Sequence, residues 1–313
     1  MSSKKLLSVI IPVFNEHECI PEVLSRLIKL REKLKKFVDS ELIFVNDGSS
    51  DSSLSLLKLA AKTKPYIKVI SFSRNFGHQI AITAGIDKAL GDYVSVIDAD
   101  LQDPPELIAD MYELALTGYD VVYATRKSRA GESIFKKTTA SLFYRLLGYM
   151  CDIEIPRDAG DFRLMSRKAV NAFNSLRERH RFVRGMISWV GFRSTSLEYH
   201  RVERFAGSTK YPLRKMIFFA MNAILSFSSK PLTLVIRLGL VTVLIGCLGA
   251  FYLIYQKLFT NIPVPGFTAT IVAILIFSGI QTFLIGVVGE YVVRIFEEVK
   301  SRPLYIVDET INF

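Results

Sequence analysis

Two stretches near the C-terminal end constrain this chain more than any other feature. Residues 238–256 run for 19 positions and residues 266–289 for another 24 without a single Asp, Glu, Lys or Arg. At about 1.5 Å of rise per residue, each is long enough to cross a hydrocarbon core of roughly 30 Å. Uncharged runs of this length are rare inside a soluble core. The segment between them, residues 257–265, holds two prolines and the lone Lys257, so the pair reads as a transmembrane helical hairpin. Arg214, Lys215, Lys230 and Arg237 precede the first run, and Arg294, Lys300 and Arg302 follow the second. This bias puts both ends on the cytoplasmic side of a cell membrane. Glu290 and Arg294 have the i,i+4 spacing of an ion pair where the second helix leaves the bilayer. Residues 211–230 mix basic and large apolar side chains, a pattern shared by an interfacial helix and a buried amphipathic one. Residues 231–293 then form the membrane part and 294–313 a cytoplasmic tail.

Half of the 313 residues are hydrophobic while 22% are charged, and the two long runs account for the apolar excess. The net charge of +10 admits nucleic acid, anionic lipid or phosphorylated substrates as partners. The absence of zinc-finger spacing and of an RNA-binding aromatic signature argues against nucleic acid. Cys19, Cys151 and Cys247 are odd in number and widely separated, which reads as reduced, mostly buried thiols in a cytosolic setting.

Residues 1–210 have a different rhythm. Runs rich in Val and Ile recur at 7–13, 41–46, 67–72, 93–98 and 120–124, with helix-like segments at 19–37, 52–63, 78–90 and 105–117. Nearly all-apolar strands alternating with helices predict an α/β domain with a doubly wound, mostly parallel sheet. Ligands of such sheets bind beyond the carboxyl ends of the strands. There the chain reads PVFNE, VNDGSSD and DADLQD, which gathers Glu16, Asp47, Asp98, Asp100 and Asp103 around one crevice. The first turn lacks the glycine pattern of a dinucleotide fold. Crowded carboxylates repel one another unless a cation or hydrogen-bond donors sit among them. Asp98 and Asp100, two apart at a strand end, can offer oxygens to Mg²⁺ or Mn²⁺. Asp51 and Asp103 also have a plainer reading as helix caps.

SVIIPVFNE, VNDGSSD and DADLQDPPE, in that order, resemble the family 2 glycosyltransferases of the GT-A fold. SRNFGHQIAITAG, GDFRLMSR, RFVRGMISWVGF, RVERFAGSTKY and the closing SRPLYIVDE narrow the resemblance to the polyprenyl-phosphate glycosyltransferases, the branch of bactoprenol glucosyltransferases and dolichyl-phosphate mannose synthases. The likeness covers nearly the whole chain. It implies that Pro12, Val13, Glu16 and Asp47 hold the base and ribose of a nucleotide sugar, that Asp98 and Ala99 flank the nucleotide, and that Asp100 and Gln102, with Asp98, serve the metal and diphosphate. Arg126, Lys137 and Ser141 match positions that grip an acceptor phosphate, although relatives often carry Arg where this chain has Lys137. Arg201, Arg204, Ser208 and Lys210 match a loop closing over the phosphates. Arg201 and Arg204 have the alternative of pairing with Glu203 and Glu198 on the surface. Asp161 matches an acidic position near the sugar, with Asp158 beside it as a further catalytic candidate; both flank Gly160 and have the alternative of shaping a turn. The four histidines, His17, His78, His180 and His200, show no metal spacing and read as structural or surface residues.

The reaction expected from this resemblance is inverting transfer of one hexose, glucose from UDP-glucose, to polyprenyl (undecaprenyl) phosphate. Trp189 follows Ser188, so the Q-x-x-R-W signature of processive synthases is missing and single addition fits. The alternatives are another donor, GDP-mannose or a modified amino-sugar, or a non-catalytic nucleotide-sugar-binding scaffold serving a flippase. Gly239, Gly246 and Gly249 give the first span a surface for close packing in a homo-oligomer.

Overall fold

The computed structural model describes residues 4–127, 159–200, 228, 230–259 and 266–313. The first part alternates as expected: β1 (Leu6–Val13), α1 (Ile20–Leu34), β2 (Asp39–Asn46), α2 (Ser53–Thr63), β3 (Ile67–Phe72), α3 (His78–Lys88), β4 (Tyr93–Val96), α4 (Leu107–Leu116) and β5 (Val121–Arg126). There follow β6 (Ala159–Ser166), α5 (Arg167–Ser175), α6 (Val183–Val190), β7 (Ser194–Tyr199), the long α7 (Lys230–Phe259) and α8 (Phe267–Val299), and β8 (Val307–Ile311). All these strands join one sheet in the order β7-β5-β6-β4-β1-β2-β3-β8.

The half from β3 to β4 is parallel throughout. Period-two alternation sends Val9, Ile11, Leu42, Phe44 and Val69 to one face, under α1, α2 and α4. Ile10, Ile43, Val45 and Ile70 go to the other, under α3, α5 and α6. Burial on both faces explains why these strands read as continuous apolar runs. Each such buried aliphatic side chain contributes about 1.5–3 kcal/mol of transfer free energy. The Glu41 carboxylate is a buried exception in β2. It is matched by the Ser8 hydroxyl, the Leu90 amide and the Lys68 ammonium, which lies at 2.7 Å.

Three strands escape the apolar-run reading. β6 enters antiparallel between β4 and β5, pairing Val96 with Arg163. β7 runs parallel to β5 at the sheet's end and alternates exposed and half-buried residues through Glu198. β8, within the segment read as a tail, pairs antiparallel with β3. The tail is therefore part of the catalytic sheet rather than an appendage.

α7 and α8 are long and apolar enough to cross a membrane, with mean hydropathies of 2.3 over Lys230–Gln256 and 1.6 over Ile276–Val299. No residue of their most apolar windows is buried within the protein. An all-round apolar helix that the protein does not cover needs lipid or another apolar partner. Arg294 Nε lies 3.3 Å from Glu290, the expected i,i+4 pair. Cys19 is buried and free, but Cys247 is exposed on α7, which corrects the reading of it as a buried thiol. A Cβ on Gly239, Gly246 or Gly249 would meet nothing within 4 Å. Lys137, Ser141, Cys151, Asp158, Arg201, Arg204, Ser208, Lys210 and nearly all of the 211–230 segment lie outside the described residues.

Helix α3 approaches the sheet closely because Gly85 has no side chain: a Cβ there would sit 2.2 Å from Ile10 Cγ2 of β1. Gly85→Ala should therefore lower stability by about 1–3 kcal/mol, the usual cost of overpacking a core, measured by denaturant unfolding of the purified protein.

Candidate active site at the carboxyl ends of the strands

β1, β2 and β4 end in three loops that meet. The first turns on Asn15 at φ 54° and the third on Leu101 at φ 59°. Left-handed backbone is uncommon for Asn and a genuine outlier for a bulky residue such as Leu, and outliers of this kind gather at ligand sites. The middle loop has Gly48 at φ +66°, where a Cβ would lie 2.4 Å from the Arg74 carbonyl carbon. VNDGSSD can thus lie directly against the loop that enters α3. Asp51 stands one residue before Ser52, the residue capping α2, and accepts the Ser53 amide at 2.9 Å while also holding His17.

Asp47 is almost wholly buried, and its carboxylate is spent within the protein. Oδ1 accepts the Phe76 amide at 2.7 Å, and Oδ2 accepts the Gly77 amide and Asn75 Nδ2, both at 3.0 Å. Burial pushes its pKa up despite these bonds. In this arrangement Asp47 braces the start of α3, and so aims His78 and Gln79 into the crevice. Pro12 and Val13 are buried at the end of β1, and Glu16 opens the turn into α1, its carbonyl accepting the Cys19 amide at 2.9 Å.

The antiparallel β6 brings the GDFR segment to the same place. Val96 pairs with Arg163, so two residues further along β4 and two back along β6 the register sets Asp98 opposite Asp161. The Asp161 carboxylate is ringed by donors. Arg184 of α6 approaches it through Nε at 2.9 Å and Nη2 at 3.1 Å, and Gln79 Nε2 lies at 3.3 Å. Arg163, itself almost wholly buried, bonds the carbonyls of Asp161 and Gly160. Burial alone would raise the Asp161 pKa, but the Arg184 charge and the His78 and Arg184 hydrogen bonds outweigh it and hold the carboxyl well below its ordinary range.

His78 corrects the reading of the histidines as bystanders. Its Nε2 stands 3.4 Å from both Asp98 Oδ1 and Asp161 Oδ2. Burial disfavours the imidazolium, yet the Asp98 and Asp161 carboxylates prevail and raise its pKa to about 9. It is the first residue of α3, where the helix's free amides add positive potential next to the acids. His180 is likewise paired, 2.7 Å from Glu297.

Asp98 shows the opposite balance. Burial comes first among the causes that raise its pKa, and the charges of Asp161, Asp103 and Asp100 add to it. Its Oδ1 is buried with no hydrogen-bond partner among the described residues. Ala99 and Asp100 are buried beside it and Gln102 is half-buried; Asp100 Oδ1 accepts the Gln102 amide at 3.1 Å. Among the described residues no three His, Cys, Asp or Glu side chains form a ready-made metal site. An orphaned carboxylate oxygen within a cluster of acids nevertheless fits a divalent cation. Mg²⁺ in particular is commonly held by one or two carboxylates and completed by substrate phosphates.

Asp103 lies ahead of Glu106, the residue capping α4, and takes the Tyr199 hydroxyl as a hydrogen-bond donor. Arg126, at the end of β5, pairs with Tyr199 in the sheet and lies 3.5 Å from its oxygen through Nε. A chain of polar contacts thus joins the Arg126 guanidinium to the DADLQD loop. Desolvation, then Asp103, pushes the Tyr199 hydroxyl pKa up, so it stays a donor.

A twisted α/β sheet with acids on its strand ends, a cation-compatible orphan oxygen and arginines around them defines a site for a phosphorylated ligand. Residues 8–173 match the model for "Glycosyl transferase family 2". The chain belongs to that family and is a glycosyltransferase. It is 51% identical over 99% of its length, and 95% of the relative's, to the uncharacterized glycosyltransferase YkcC of Bacillus subtilis. It is 40% identical over 97% of its length, and 98% of the relative's, to the SfII prophage-derived bactoprenol glucosyl transferase of Shigella flexneri. Among solved structures, glucosyl-3-phosphoglycerate synthase from Mycobacterium tuberculosis aligns over 71% of this chain and 78% of that one, at 18% identity and a TM-score of 0.47.

Because its pKa is raised in the folded state, His78 contributes stability that is complete below about 6.5 and lost as pH rises through about 9. Unfolding curves collected across that window should show this loss, and His78→Gln should flatten it.

Proposed function

We propose that the protein transfers glucose from UDP-glucose to polyprenyl phosphate, with inversion, at the cytoplasmic face of a membrane. The observation that carries this reading is that the strand following the two apolar helices joins the same sheet that carries the acid-lined crevice. β8 follows α8 and pairs with β3, so the chain that leaves through α7 returns through α8 to the side on which it began. A phosphate presented from that membrane surface is then within the domain's reach. The 40% identity to the Shigella bactoprenol glucosyl transferase spans both the domain and the helices and supports the same acceptor and sugar. The surplus of basic residues at the ends of the hairpin supports the cytoplasmic orientation.

In this reading Pro12, Val13, Glu16 and Ala99 line the nucleotide side of the crevice. Asp47 serves that side indirectly, by fixing the loop that carries His78. Asp98, Asp100 and Gln102 hold a divalent cation, which when bound supplies positive charge to the diphosphate leaving group. Arg126 stands ready for the acceptor phosphate, with Lys137, Ser141 and the loop residues Arg201, Arg204, Ser208 and Lys210 assigned to the phosphates on the strength of the family pattern.

A lipid monophosphate has a second pKa of about 6, so at neutral pH its oxygen is already an anionic nucleophile. No protein base has to activate it. This agrees with the state of Asp161, whose lone pairs are occupied by Arg184, Gln79 and His78. A carboxylate held ionised this way is suited to balancing positive charge that builds at the anomeric carbon. Asp158 is the second acid assigned beside it.

Membranes carrying the protein, incubated with polyprenyl phosphate and radiolabelled UDP-glucose, GDP-mannose or an amino-sugar nucleotide, should yield labelled lipid only from UDP-glucose. Label from another donor would move the sugar assignment, and no labelled lipid from any donor would overturn the transferase reading of the acceptor. Asp100→Asn should lower the rate about 100-fold or more with Mg²⁺ or Mn²⁺ present. Undiminished turnover would remove Asp100 from the metal site.

A further inference from the structure

We infer that the last turn of α8 and the strand after it form a clamp that sets the reaction centre at a fixed place relative to the membrane surface, with Glu297, Glu298 and Tyr305 as positioning residues. The inference rests on the proposed membrane acceptor. It starts from contacts made outside the catalytic crevice.

The clamp grips two elements. One is the 176–182 segment that leads into α6: Glu297 meets His180 at 2.7 Å, Glu298 accepts the Arg179 amide at 2.6 Å, and Arg179 Nη1 donates to the Arg302 carbonyl at 2.9 Å. The other is the far end of α3. Tyr305 stacks on Phe72 with ring centres 5.1 Å apart, and its hydroxyl donates to Asp87 at 3.0 Å, while Arg177 holds the other Asp87 oxygen at 2.8 Å. β8 then adds its ladder to β3.

Both gripped elements end in the crevice. The 176–182 segment passes directly into Val183, whose amide donates to Gln79 Oε1 at 3.0 Å, and Arg184, which holds Asp161. Helix α3 carries Asp87 at one end and His78 and Gln79 at the other, about 14 Å apart at the rise of an α-helix. The crevice is therefore tied to the end of α8 along two routes, while its own internal contacts are made by other residues. The contacts of Glu297, Glu298 and Arg302 with the 176–182 segment are exposed enough to add little stability, so their value lies in geometry.

A water-soluble acceptor can find the crevice wherever the domain sits, whereas a lipid phosphate is held at the height of the headgroups. The test is the full-length Glu297→Gln/Glu298→Gln double variant, and separately Tyr305→Phe. Each is assayed with polyprenyl phosphate in phospholipid vesicles and with a short-chain, water-soluble prenyl phosphate. The double variant should lose roughly tenfold or more in kcat on the vesicle acceptor, since misplacement by about 1 Å can cost 100-fold. Its rate on the soluble acceptor and its KM for the donor should stay within about twofold of the parent, and Tyr305→Phe should follow in the same direction. Equal losses on both acceptors, or none, would overturn the clamp. Amide hydrogen exchange reads the clamp without turnover: residues 176–182 should exchange faster in the double variant, and unchanged protection would also overturn it. Parent protein that transfers to neither acceptor would instead count against the proposed function.

Discussion

The structure of the site follows from one electrostatic problem: Asp98, Asp100, Asp103 and Asp161 converge where the carboxyl end of β4 meets the amino end of the antiparallel β6, largely out of water. Like charges in such surroundings cannot all stay ionised unless positive groups are built in. Asp161 receives them, from Arg184 and the His78 imidazolium. Among the described residues Asp98 has only His78, 3.4 Å from its Oδ1, and that oxygen makes no hydrogen bond. One acid is thereby fixed as an anion and its neighbour is left in need of a cation. In the proposed function, that asymmetry assigns the Asp161 side of the crevice to the sugar and the Asp98 side to the diphosphate and a metal.

The position of every charge in this pair depends on features distant in sequence. His78 is aimed by Asp47, which spends its carboxylate on the two amides before the helix. Asp47 can reach them because Gly48 lets the VNDGSSD turn press against Arg74 and Asn75. Asp161 faces Asp98 because β6 runs antiparallel and in one register between β4 and β5. A slip of one residue would turn its side chain to the other face of the sheet. The residues that touch ligand and the residues that only hold a backbone are therefore parts of one arrangement.

These relations explain what the sequence could and could not reveal. The parallel strands were legible because burial on both faces writes them as long Val and Ile runs, and their acidic ends were legible with them. β7 and β8 were not, since these edge strands are only five or six residues long, are mostly polar, and alternate in exposure rather than forming an apolar run. β6 was missed for another reason. Its motif GDFRLMSR places a charged pair in the middle of a buried strand, a pattern that makes sense only once Asp161 is seen to need Arg163 and Arg184. His78, Gln79 and Arg184 sat inside motifs that carried the family resemblance, yet no local rule pairs residues about 80 to 100 positions apart. Tyr199 gave no signal at all, because its partner Asp103 had a sufficient local explanation as a cap.

β8 changes how the whole chain is understood. Read as a tail, the last residues would leave the helix pair as a simple anchor on a tether, free to let the domain tilt over the membrane. As the edge strand of the catalytic sheet, flanked by Asn312 bonds to the Ala61 and Ile67 carbonyls and the Lys58–Glu309 pair, they make the domain closed at both ends. The entropy of orienting the domain over the bilayer is then removed during folding rather than at each encounter with a lipid phosphate. A catalyst whose acceptor is confined to a surface gains more from this than from tighter binding, because both substrates carry negative charge and must be brought together against their repulsion.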